Sequence, residues 1–576
     1  MSQQTPLRAL QRFVAVSIID SPSVPIAAIL TLVGVGSVLQ ASQAINHDLA
    51  WLLIATRRML AGAAIYRSDV IEVNPPLILG LLAPSVGISQ LLGVSVVTSV
   101  RVFTVLLAIG SALLSGRLLE RVLGASERQL RRILQASFLY ASLVFVDADF
   151  GQREHFILIL GMPYLCLVAA RARGSAVPVG EAALAGLLGG LAIAVKPNYV
   201  LALLVLEGCL ALRRRSLRVW WRLDLGLVVA VGAVYLVVVL LATPGYFEVA
   251  FPLALDGYWI YQRPLRALLR GRDLAVLALG LLAMLQLRRH ERLRELGEVW
   301  FVASAGFYAM SLLQGTGWRY TLIPFQGVSV PLLVLALVSL LRGLWTVSAA
   351  PSGMVSRCAG AVLALLMLLA VLAAQPGLVH TLRSGAVWRS GQTDGPVRVL
   401  NTVIDNRAGG SSVYFMTPVL RGPFPTMIYS RAEWASRFSC LWLLPSILRA
   451  RAGDSAVPAR LTPERVDVME RYLIDAVVED LERHQPELIF VDRRRKQPGY
   501  GGFEFDLLEY FRRDPGFERV WSRYGVVGDI PPYTVALRAA RRLAGPLASP
   551  ADRLAAHSHR SADVASRGAP FGRGRR

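Results

Sequence analysis

Again and again this chain runs for about 20 residues with hardly a charged side chain, the length an α-helix needs to cross the hydrocarbon core of a bilayer. Lipid offers nothing to unpaired backbone groups, so each such run is read as a helix that satisfies its own N–H and C=O groups. The runs fall near 24–45, 95–116, 133–147, 155–170, 181–195, 198–212, 223–242, 273–287, 298–314, 320–341 and 358–375. With 54% hydrophobic and 17% charged residues, the 576-residue chain is outside the range of soluble domains. The expectation is a polytopic α-helical membrane protein of about eleven transmembrane helices.

Loop charges set the orientation, since short cytoplasmic loops hold the Arg and Lys excess. Alternate loops are basic: Arg8 and Arg12, then the cluster from Arg117 to Arg132, Arg171 and Arg173, the run from Arg213 to Arg222, Arg288 to Arg294, and Arg342 and Arg357. These are placed inside, and an odd number of spans then puts everything after Gln375 outside. The uncharged stretch 75–100 competes as a further span. Counting it would reverse every later loop, so it is read as a helix lying in the interface, broken at Pro84 and Gly87. The first apolar run is followed by a polar, acidic loop, not by a small-residue cleavage site, so it is expected to remain as a helix.

The net charge of +22 is concentrated in inside loops and in the tail 541–576. Topology and anionic lipid headgroups account for it, and no nucleic-acid partner is inferred. The tail, rich in Arg, Ala, Ser and Gly, is expected to be disordered. Cys166, Cys209 and Cys358 fall in predicted helices and Cys440 stands apart, which gives no disulfide framework and no Cys-based zinc site. From about Gly391 the composition becomes that of a soluble domain. Strands are expected at 396–400, 412–416, 488–492 and 533–537, with a helix over 463–484 and another beginning at 505–511. The domains are therefore 1–375 transmembrane, 376–540 a small extracytoplasmic α/β domain, and 541–576 the basic tail.

The loop after the first span is roughly fifty residues long, too long for a simple turn. Its segment 48–66 reads as a helix with Leu49, Leu52, Leu53, Thr56 and Leu60 on one side and Asp48 at its N-cap. Two readings of Asp48 stand: a capping carboxylate worth about 1 kcal/mol, or a catalytic carboxylate beside His47 at the membrane surface. Further on, Glu72 precedes the step Asn74-Pro75-Pro76-Leu77. Between the third and fourth spans, Asp147, Asp149, Arg153, Glu154 and His155 crowd one membrane border. Charges there are costly and point to function by default; the alternative is helix-end solvation with Arg153 paired to the carboxylates. Asp149, Glu154 and His155 have the donor types of a divalent cation site, Mg2+ or Mn2+. Lys196 and Arg319 lie on the same face and either bind a phosphate or reach for lipid headgroups. The aromatic loop with Tyr246, Tyr258, Trp259 and Tyr261 either stacks on sugar faces or anchors in the interface.

An Asp just after the first span, two interfacial helices in the first outer loop and an x-Pro-Pro-Leu step resemble the GT-C superfamily of membrane glycosyltransferases. The resemblance covers roughly residues 20–375, and its best local patches are Asn46 to Asp48 and Asn74 to Leu77. It implies a polyprenyl-phosphate sugar as donor, a glycan, lipid or protein hydroxyl as acceptor, and a place on the outer face of a bacterial inner membrane. It also implies Asp48 as general base, with His47, Glu72, Asp147, Lys196 and Arg319 contacting substrate and Asp149, Glu154 and His155 contacting a metal or acceptor. A transporter or flippase of polyprenyl-linked glycans also needs many spans and embedded charges, but such proteins show internal repeats and mid-helix charges, and no repeat is found. An oligosaccharide ligase is the nearer alternative.

Overall fold

A computed structural model describes residues 23–346, 395–502 and 504–539, so the predicted span 358–375 and the tail 541–576 lie outside the described residues. The chain forms two compact units that divide between Val397 and Arg398.

The described residues of the first unit are mainly helical: α1 (Ser23–Ser42), α2 (His47–Leu60), α3 (Leu77–Leu92), α4 (Val96–Leu123), α5 (Arg128–Tyr140), α6 (Arg153–Arg173), α7 (Val179–Val195), α8 (Val200–Arg214), α9 (Leu223–Ala242), α10 (Phe251–Tyr258), α11 (Gly271–Leu287), α12 (Arg294–Leu313) and α13 (Ile323–Thr346), joined by turns and loops. Each predicted run between 24 and 341 falls on one of these helices. The run 133–147 covers the end of α5 and a wider π-type turn, Ala141–Phe145. Helices α4, α6, α9, α12 and the segment Arg319–Arg342 are each long and apolar enough to cross a bilayer. The pair α1 and α2 passes together with an 81° bend between them, and α3 and α7 are apolar but shorter. This is a multi-pass membrane protein.

Burial separates the centre of the bundle from its lipid face. In α6, 89% of the apolar window is buried, whereas in α9 the share is 11%; α6 is therefore the axis and α9 faces lipid. Helix α7 reaches α9 through small residues, as membrane helices commonly do. A Cβ on Gly186 would stand 2.5 Å from the Asp224 carbonyl oxygen. At one end of α6, Arg171 pairs with Asp224 at 3.2 Å, Arg222 with Glu207 at 2.8 Å and Arg213 with Glu295 at 2.6 Å. Much of the arginine expected in the inside loops is thus balanced by acidic partners in neighbouring loops and helix ends. The functional candidates gather at the other end of α6, some 30 Å away for a helix of this length.

Helix α3 is continuous through Pro84 and Gly87, so the expected break does not occur. A proline removes one intrahelical bond, but the helix closes on both sides of it and ends at Gly93, whose φ of 65° suits a glycine.

The second unit is a small α/β domain. Its sheet has the order β2-β1-β3-β5-β4, with β1 (Ser412–Met416), β2 (Glu433–Trp434), β3 (Leu488–Asp492), β4 (Tyr524–Ile530) and β5 (Tyr533–Arg538). Strand β1 is parallel to β2 and β3, and β5 runs antiparallel to β3 and β4. All five residues of β3 are buried, the apolar run Leu488 to Val491 and then Asp492, which accepts a hydrogen bond from Thr417 Oγ1 at 2.8 Å. The helix over 463–484 is found as α15 (Pro463–His484), while the run 396–400 is not a strand but the start of α14 (Gly395–Ala408). The longer window explains the difference: Val397, Leu400, Val403, Ile404 and Ala408 are buried at helical spacing, and Val399 is exposed.

Candidate active site at one end of the bundle

The turn between α1 and α2 sets the position of Asp48. Asn46 caps α2, accepting a hydrogen bond from the Asp48 backbone N–H at 2.8 Å. Asp48 is therefore two residues inside the helix, not at its N-cap, and its side chain is released from capping. Asn does this work as well as Asp would. Helix α2 is enclosed from Leu49 to Thr56, and Leu60 is exposed.

The loop between α5 and α6 closes on this turn. Gln152 donates from Nε2 to Asn46 Oδ1 at 2.7 Å and to Asp48 Oδ2 at 3.0 Å. Asn46 Nδ2 donates to the Ala148 carbonyl at 3.1 Å and lies 3.4 Å from Asp149 Oδ1. Gly151, at φ +78°, permits the approach: a Cβ there would meet Leu49 Cδ2 at 2.4 Å. Asp48 keeps 23% side-chain exposure, and His47 Nε2 is 3.8 Å from its Oδ1.

Two further carboxylates share one guanidinium. Arg319 lies 3.4 Å from Asp147 Oδ2 through Nη1 and 3.5 Å from Asp149 Oδ2 through Nε. Asp147 also accepts from Gln43 Nε2 at 2.9 Å. Burial pushes the Asp149 carboxyl up to about 6; Arg319 opposes the shift, and the neighbouring Asp48, Asp147 and Glu154 carboxylates add to it.

Lys196, just past α7, is bonded to Glu154 Oε1 at 2.5 Å and to Gln314 Oε1. Its ammonium lies 5.8 Å from the centroid of the Tyr320 ring. Tyr320 continues an aromatic wall, with ring centroids 5.6 Å from Trp318 to Tyr320 and 5.6 Å from Trp318 to Tyr261. Tyr258 lies 5.4 Å from Tyr261.

Glu72 is buried, and its carboxylate accepts from Trp51 Nε1, from the Asn74 backbone N–H at 3.0 Å and from the Asn74 side chain. It ties the first loop to α2, with no bond to the other candidates. His155 is fully buried: Nδ1 accepts from the Gly151 N–H at 2.9 Å and Nε2 faces the Ser142 carbonyl at 2.7 Å. Both ring nitrogens are engaged in holding the loop, as a neutral imidazole allows. Asp149, Glu154 and His155 therefore do not form the expected ligand set. Among the described residues no group of three or more His, Cys, Asp or Glu is placed to hold a metal ion.

Arg153 departs furthest from its sequence reading. It is 7% exposed, its guanidinium carbon is 5.9 Å from the Tyr320 centroid, and its Nε has no hydrogen-bond partner. It makes no ion pair among the described residues, although Glu154, Asp48 and Glu72 are within electrostatic reach. The pairing with neighbouring carboxylates that the alternative reading calls for is absent, since Lys196 takes Glu154 and Arg319 takes Asp147 and Asp149. A signal was available, since a cation in the first turn of a helix opposes the helix dipole. Gln152 and Gln314, uncharged, gave none.

This helical bundle, with its bent first loop and a following α/β domain, has the GT-C fold of polytopic membrane proteins. Among solved structures the chain is similar to ArnT from Cupriavidus metallidurans bound to undecaprenyl phosphate, with a TM-score of 0.51 and 14% identity over 92% of this chain and 100% of that one. It is similar to the same protein in the apo state at a TM-score of 0.48 and 15% identity, over 91% and 99% of the two chains. The archaeal oligosaccharyltransferase AglB from Archaeoglobus fulgidus, in complex with an inhibitory peptide and a dolichol-phosphate, gives 0.44 and 11% over 86% and 72%. No family model and no curated protein sequence matches the chain.

Proposed function

We propose that this protein is a GT-C glycosyltransferase. It moves one sugar from a polyprenyl-phosphate carrier to a hydroxyl of a cell-envelope glycan, lipid or protein, on the outer face of a bacterial inner membrane. The C-terminal domain stands on that outer side. The observation that carries the reading is Asp48: a partly exposed carboxylate, oriented by Gln152 through one oxygen and relieved of capping by Asn46. The other oxygen is the one available to a hydroxyl, the geometry general-base catalysis asks for. The fold's likeness to a protein solved with undecaprenyl phosphate supports the donor class.

In this reading the acceptor oxygen attacks the anomeric carbon as its proton passes to Asp48. The bond from that carbon to the phosphate oxygen breaks, and the electron pair leaves on the phosphate. A single displacement inverts the anomeric centre. Positive charge from Arg153, Lys196 and Arg319 offsets the charge developing on the leaving group, and the wall of Tyr258, Tyr261, Trp318 and Tyr320 offers apolar faces to a sugar ring. Charges gathered at one end of the bundle support this over a flippase, which needs charges along its path.

Asp48→Asn keeps the shape and the bond from Gln152 but removes the base. Transfer from a polyprenyl-phosphate sugar should fall by about 100-fold or more, with membrane abundance and melting temperature unchanged. Retained transfer would remove Asp48 from the base role.

A further inference from the structure

At the end of the bundle away from Asp48, the last turn of α8 and the loop to α9 carry five arginines of two kinds. Arg213 is paired with Glu295 and Glu298, and Arg222 with Glu207 and Asp224. Arg214, Arg215 and Arg218 are exposed and make no ion pair among the described residues; Arg214 donates to the Arg171 carbonyl at 2.7 Å. The dipole of α8 favours a cation in its last turn, which accounts for Arg214. It accounts less well for Arg215, which caps α8 in the left-handed conformation at φ 48°, where a glycine sits at lower cost. The same chain closes α3 on Gly93 and α6 on Gly174 in that conformation. What Arg215 offers over glycine is its side chain. Apolar groups flank these cations: Trp221 is 91% exposed, Leu212 79% and Leu217 66%. Trp221 leads into α9, the helix that faces lipid, whose Leu223 is also exposed. The loop is fastened from behind, since Trp220 Nε1 donates to the Glu207 carbonyl at 3.3 Å and Arg222 Nη2 to the buried Glu207 carboxylate at 2.8 Å. Trp221 is thus presented outward from a held turn.

We infer that this loop binds the headgroup of an anionic phospholipid in the bilayer leaflet at that end, with Arg215 and Arg218 on the phosphate and Trp221, Leu212 and Leu217 seated beside the acyl chains. The inference does not depend on the transferase reading. Charge complementarity selects an anion, because these guanidiniums have no countercharge of their own, and a headgroup without a choline or ethanolamine cation brings one. The apolar flank selects a lipid over a soluble anion or a nucleic acid, either of which would leave Trp221 and the two leucines in water. Tryptophan belongs at headgroup depth. Arginine stems lie along apolar surface while the planar fork reaches two phosphate oxygens.

The test reconstitutes the full-length chain in phosphatidylcholine vesicles containing a brominated lipid, whose bromines quench nearby tryptophan. In each background the emission of Trp221 is obtained by difference from the matching Trp221→Phe variant. Brominated phosphatidylglycerol is expected to quench it at a lower mole fraction than brominated phosphatidylcholine, by about five-fold for each arginine in contact, and high salt should narrow the gap. Arg215→Gly relieves the left-handed cap, so it should fold and melt no lower than wild type while losing about five-fold of the preference. Adding Arg218→Gln should remove most of the remainder, whereas Arg57→Gln, exposed on α2, should keep all of it. Equal quenching of wild type by the two lipids overturns the inference, as does a preference undiminished in the double variant. An Arg215→Gly chain that melts lower and keeps the full preference assigns that arginine to the fold and overturns its role. A preference abolished by soluble glycerol phosphate makes the occupant a free anion and overturns the lipid.

Discussion

Gly151 is a small residue on which the geometry of Asp48 depends, and Gly151→Ala tests that dependence. The residue sits at φ +78°, and an added Cβ would stand 2.4 Å from Leu49 Cδ2. The left-handed conformation costs an alanine about 1 kcal/mol. Leu49 is 1% exposed, so its methyl has little room to give way, and overpacking of this kind costs about 1–3 kcal/mol. A loss of about 2–4 kcal/mol in stability is expected, borne locally by the loop that carries Gln152. Transfer activity should fall more than global stability suggests, because Gln152 would lose its reach to Asp48. Thermal melting in detergent and a sugar-transfer assay on the same sample separate the two effects. The companion is Leu49→Ala, which opens the space: on that background Gly151→Ala should cost only the backbone term, giving a coupling of about 1–3 kcal/mol between the sites. Additive losses in the double variant would refute the steric argument.

Asp149 takes up its proton more readily in the folded than in the unfolded protein, because burial raises its carboxyl from 3.8 to about 6. Stability from this group is thus fullest below pH 3.8 and is lost as pH rises through about 6, by up to about 3 kcal/mol. Asp149→Asn should flatten the melting profile between pH 4 and 7, and an unchanged profile would assign the dependence elsewhere. For topology, Ser455→Cys places a thiol on an exposed turn of the second unit. A membrane-impermeant maleimide should label it in intact cells, whereas labelling only after lysis would place that unit inside.

The helices were legible because the bilayer imposes a simple length and polarity rule; the run 223–242 coincides with α9. The site was legible in its charged members and not in its wiring. Asp48, Asp147, Asp149, Glu154, Lys196 and Arg319 do come to one end of the bundle. Which cation meets which carboxylate depends on the turn angles of several helices, and no spacing in the chain encodes that. The cap at Asn46 was missed because Asp48 is an equally good capping residue and only backbone dihedrals distinguish them. At α14 a five-residue window showed Val397 and Val399 alternating, and the helical stripe emerged only over fourteen residues.

The ion pairs also impose an order on biosynthesis. Glu154 finds Lys196 forty-two residues later, so that charge is balanced as soon as α6 and α7 are both in place. Asp147 must wait 172 residues for Arg319, the last of the site's charged groups to leave the ribosome. Until then the acidic edge of the centre is held by glutamine and asparagine amides, with no countercharge of its own. A chain stalled before α13 would therefore display an incomplete, acid-rich mouth, and the working centre comes into being only when the bundle has been stitched shut.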